Sequence, residues 1–185
     1  MSFGENFKTM RKIVLTYGLI GGLIVGSMFF VTIPFWESGA INFDNGEIVG
    51  YTSMVIALSV IFFAIKSYRD KYLNGSISFW QGVKVGLLVT LVAGLIYAAA
   101  WEVSYRTTNR DFAKNYTEYQ VARMQEAGKS EAEIEARRQQ MAEFTEWYGV
   151  FIIRFSFSIV EILPVGIALT LISAGLLRNR KFLPA

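Results

Sequence analysis

Arg154, Ser158 and Glu161 share one face of an apolar run, and Pro164 follows three residues later. If a helix begins near residue 150, Glu161 lies about 16 Å along it. An ionisable side chain at that depth in a membrane is costly and normally faces the protein interior or water. The expectation is a carboxyl shielded from lipid. Pro164 has no N–H to give the carbonyl of Val160, so a kink and a free acceptor are expected there. A protonated Glu161 is a candidate donor to that acceptor. Depth pairs Lys84 with Glu161 from one side and Glu102 with Arg154 from the other. Such pairs would fix helix register; the functional alternative is a proton- or cation-responsive site centred on Glu161.

Other chemistry has little to stand on. The 185-residue chain has no cysteine and no histidine, so thiolate nucleophiles are excluded and the commonest general base and metal ligand are missing. No phosphate-binding glycine loop, serine triad or metalloprotease helix is present, and the carboxylates form no paired constellation for acid/base work. The expectation is no enzyme, no cofactor and no metal. The net charge of +3 is spread over the flanks of apolar runs, which is no nucleic-acid footprint.

The elements that must position these residues are four apolar stretches, at about 13–36, 48–66, 80–103 and 150–177. Each approaches the roughly 20 residues a helix needs to cross a bilayer. Lys8, Arg11 and Lys12 precede the first, but the run is long for a signal peptide and no small-residue cleavage site follows, so it reads as an uncleaved span. The fold expected is all-α: an integral membrane four-helix bundle with an extramembrane αα-hairpin, residues 104–149, between spans three and four. Gly128 suits a helix end, and Ser130 with Glu133 suits a capping box that starts the next helix. Within the hairpin, Phe112, Tyr116 and Tyr119, and then Ile134, Met141, Phe144 and Tyr148, recur at helical spacing.

Charge orients the chain. Basic residues gather at Lys8–Lys12, at Lys66, Arg69, Lys71 and Lys84, and at Arg178, Arg180 and Lys181, while the 37–47 loop has none. The positive-inside rule then places both termini in the cytoplasm, although the 102–149 segment, with seven Lys/Arg against nine acids, opposes it weakly. Lys66, Arg69 and Lys71 with Tyr68 and Tyr72 form a basic-aromatic patch suited to anionic membrane lipid.

Small residues recur at four-residue spacing: Gly18, Gly22 and Gly26 in span one; Gly82, Gly86, Thr90, Gly94 and Ala98 in span three; Gly166, Thr170 and Ala174 in span four. Such stripes let helix backbones approach closely, within one bundle or between copies in a homo-oligomer. The hairpin is a candidate docking surface for a periplasmic protein partner. Association through these features is the expected role; the alternative is a small oligomeric proton- or cation-linked transporter or channel with Glu161 titrating.

The tract Asn45-Gly46-Glu47-Ile48-Val49-Gly50-Tyr51-Thr52-Ser53-Met54, with Lys66-Ser67-Tyr68-Arg69-Asp70, Val83–Leu88, Trp101-Glu102 and Phe155–Pro164, resembles a bacterial four-span family catalogued as domain of unknown function 4199. The resemblance covers nearly the whole chain. It implies a multi-pass protein of a bacterial inner membrane and carries no activity, substrate or cofactor.

Overall fold

The structure, a computed structural model, describes residues 3–179 and 183, with side chains from Lys8 onward. Arg180 and Lys181 of the basic C-terminal group lie outside the described residues. The chain is 84% helix, and the described residues contain no strand. Its helices are α1 (Phe3–Val31), α2 (Ile33–Glu37), α3 (Gly46–Leu58), α4 (Val60–Tyr72), α5 (Phe79–Thr107), α6 (Phe112–Glu126), α7 (Glu131–Gly149) and α8 (Phe151–Leu177). Four segments are long and apolar enough to cross a membrane: Lys8–Glu37, Gly46–Tyr72, Phe79–Thr107 and Phe151–Leu177.

Two of these segments are interrupted. Pro34 cannot donate a backbone bond, so α1 stops and Pro34 begins the short α2, while the Thr32 hydroxyl donates to the carbonyl of Met28 at 2.7 Å. Ser59 divides span two into α3 and α4; its hydroxyl donates to the carbonyl of Ile56 at 2.7 Å, a local bond that competes with the regular ladder. Pro164, where a kink was expected, sits inside the continuous α8.

α5 is the central element, with α1 on one side and α8 on the other, and α4 touches all three. The small-residue stripes make this packing. A Cβ on Gly18, Gly22 or Gly26 would stand under 3 Å from Val92, Ile96 or Ala100, so α1 and α5 run parallel in close contact. Between α5 and α8, Gly82 faces Ala174, Gly86 faces Thr170, Thr90 faces Gly166 and Gly94 faces Ile162. Each step of four up α5 is a step of four down α8. This interlocking sets an antiparallel register that reaches well beyond the glycines.

The hairpin forms from local signals. Gly128, at φ 67°, occupies the left-handed conformation that ends α6, and the N–H of Lys129 returns to the carbonyl of Met124. Ser130 and Glu133 make both bonds of a capping box on α7. The hairpin docks on the first loop: Phe43 contacts the rings of Trp36, Phe112, Tyr116 and Tyr119, and the Tyr119 hydroxyl donates to Asp44 at 2.6 Å.

Candidate functional site

The α5–α8 register, carried two turns beyond Gly94, brings Glu102 opposite Arg154. Arg154 Nε and Nη2 donate to the Glu102 carboxylate at 2.7–2.9 Å, and Nη1 donates to the carbonyl of Tyr148 at 2.7 Å. The guanidinium lies 3.8 Å from the Tyr105 ring centre, and Arg106 reaches Glu102 from the other side. Arg154 is 3% exposed and Glu102 8%. A planar, forked donor can satisfy a carboxylate and a helix end at once. Losing Glu102 would strand the buried guanidinium, at a cost of about 3–5 kcal/mol, whereas Glu102 without Arg154 would keep Arg106. The cluster fastens the end of α7 to α5 and α8.

Lys84 does not reach Glu161. Gly86, two residues on, packs against Thr170, nine residues from Glu161, so the same register holds Lys84 roughly 20 Å from the level of Tyr97. The Lys84 side chain is exposed on the outside of α5. Depth along single helices suggested the pair; the interlocked stripes decide against it.

Glu161 is instead the acceptor for the Tyr97 hydroxyl, at 3.0 Å to Oε2. Tyr97 is 5% exposed, in the core beside Phe29. Glu161 is covered only in part: its carboxylate bonds the buried Tyr97 hydroxyl, while the side chain as a whole lies on the exposed side of α8. The cause is angular. Arg154, Ser158, Ile162, Gly166 and Thr170 form the face of α8 turned to α5, and Glu161, one residue before Ile162, is rotated about 100° from that seam. The carboxylate therefore lies off the α5–α8 seam, on a helix that also packs against α3. It bonds the Tyr97 hydroxyl rather than serving the carbonyl freed by Pro164.

α3 carries Glu47 in its first turn and Tyr51 about one turn further on. Gly50 lies between Glu47 and Met54 on that helix, and a Cβ there would meet nothing within 4 Å. At the hairpin end, the Tyr148 hydroxyl accepts from Trp101 Nε1 at 2.8 Å, and burial pushes its phenol above the usual tyrosine range. Chemically, the Glu161 carboxyl beside the Tyr97 hydroxyl can take up or release a proton. Among the described residues no three acidic side chains converge as a metal site.

Sequence reasoning singled out Glu161, Glu102 and Arg154. It missed Tyr97 and Tyr105 as partners, because a tyrosine in an apolar helix carries no local sign of which group on another helix it will meet. It also assigned Arg69 to a surface patch. Arg69 is fully buried, bonded to Asp70 and to the carbonyls of Leu177 and Leu183, so it closes the end of α8 instead. Gly18, Gly22, Gly26, Gly86, Gly94 and Gly166 all face neighbouring helices of the same chain.

Fold and site together define an all-helical membrane protein with four apolar helices long enough to span. Residues 16–179 match the family described as "Protein of unknown function (DUF4199)", and the chain belongs to that family. Neither the curated proteins nor the solved structures contain a match.

Proposed function

We propose that this chain is a non-enzymatic four-helix bundle of the bacterial inner membrane, with both termini cytoplasmic, that responds to or conducts protons or small cations through Glu161. The observation that carries this reading is the Glu161 carboxylate, well inside a membrane-spanning helix, accepting from the buried Tyr97 hydroxyl at 3.0 Å. A carboxylate at membrane depth is costly unless it can take up a positive charge or find water. The side chain lies on the exposed side of α8, so a second copy is a fitting cover.

Association as the sole role has less support. The glycine stripes that motivated it are occupied by contacts within one chain. The hairpin remains available to a periplasmic partner, through the surface opposite its Phe43 contact.

Proteoliposomes carrying an entrapped pH dye test the proposal. The wild-type chain is expected to speed dissipation of an imposed pH or sodium gradient, and Glu161→Gln to abolish that effect. Glutamine can still accept from Tyr97, so folding is preserved. Equal flux in the two proteins removes the carboxylate from the mechanism.

A further inference from the structure

A polar groove lies where α1 meets α4, toward the end of α4 that carries Lys71. It is a groove of about 210 Å³ lined by Tyr17, Phe63, Lys66, Ser67, Asp70 and Lys71. Its two ends differ in chemistry. Lys71 is one residue from the end of α4, and Phe63, 55% exposed, is eight residues deeper, about 12 Å along the axis. Charged groups and hydroxyls therefore line the outer end, and an aromatic ring lines the end at acyl-chain depth.

The charge is positive on balance. Asp70 is held by both Lys66 and Arg69, so one acid offsets part of three bases. Lys71 is exposed and has no ion pair among the described residues. Lys8, Arg11, Lys12 and Arg178 are exposed at the same end.

We infer that this groove binds one anionic phospholipid, its phosphate between Lys66 and Lys71 with the Tyr17 and Ser67 hydroxyls, and one acyl chain along Phe63. A free anion would use only the outer end. A second copy would bring like charges together. A lipid with a negative headgroup satisfies both ends at once, and basic residues near a membrane surface attract such lipids.

Native mass spectrometry of the full chain released from detergent provides the test. Phosphatidylglycerol is the probe, with phosphatidylcholine and soluble glycerol phosphate as comparisons. One phosphatidylglycerol should remain bound at concentrations where phosphatidylcholine does not. Lys66→Gln and Lys71→Gln should each weaken its retention about fivefold. Phe63→Ala should weaken it as well, whereas Lys84→Gln, an exposed lysine on another helix, should not. Circular dichroism melts of each variant identify any loss of fold, and a variant that melts early is replaced by Lys→Arg at the same position, which should retain the lipid. Equal retention of phosphatidylcholine overturns the inference. So does equal loss in Lys84→Gln, or displacement by glycerol phosphate at matched concentration.

Discussion

Thr170 shows how tightly single atoms are specified where α5 meets α8. Its hydroxyl is buried with no hydrogen-bond partner among the described residues, and it lies 2.6 Å from where a Cβ on Gly86 would stand. Its counterpart Thr90 donates to the carbonyl of Gly86 at 2.9 Å and crowds Gly166, where an added Cβ would approach Thr90 Cγ2 to 2.1 Å. A buried polar atom left unpaired costs about 1–3 kcal/mol, whereas an apolar group of similar shape carries no such penalty. Thr170→Val should therefore be neutral or raise stability by up to about 1 kcal/mol, and Gly166→Ala should lower it by about 1–3 kcal/mol through overpacking. Unfolding titrations in mixed micelles would read both. Destabilisation by Thr170→Val as large as that by Gly166→Ala would mean that the hydroxyl has a role the packing does not reveal.

Elements differ in how far local sequence determines them. The hairpin was legible because its signals are local: Gly128 ends one helix and Ser130 with Glu133 opens the next. The division at Ser59 was not, since a lone serine in an apolar run carries no strong signal against helix. The α5–α8 register was half legible: the stripes announced close packing, but only their interlocking fixes which residues face each other. That is why Glu102 and Arg154 were matched from depth while Lys84 was misplaced. For α7, the backbone N–H and then the hydroxyl of Ser130 hold the Glu133 carboxyl below its ordinary range. A depressed folded-state value means the cap supports the helix above the ordinary carboxylate range of about 4.3, and the support is lost as pH falls through the lower value. Far-UV circular dichroism of the full chain should show wild type more helical than Glu133→Ala at neutral pH, with the difference closing in acid. A difference that persists at pH well below the carboxylate range would assign the cap to Ser130 alone.

Across the whole molecule the proposed roles depend on orientation. Glu161 lies ten residues inside α8, whereas the lysine groove reaches the end of α4 that carries Lys71. With the termini in the cytoplasm, the lysines meet the anionic lipid of the inner leaflet. The absence of cysteine makes the test clean. Single substitutions Glu131→Cys, at the start of α7, and Arg178→Cys, just after α8, place unique thiols at the two ends; both positions are exposed. A membrane-impermeant maleimide added to cells with a permeabilised outer membrane should label Glu131→Cys and spare Arg178→Cys until the inner membrane is broken. The reverse pattern would turn the lysine groove toward the outer leaflet. The lipid inference would then lose its source of negative headgroups on that face, while the internal packing of α1, α5 and α8 would stand unchanged.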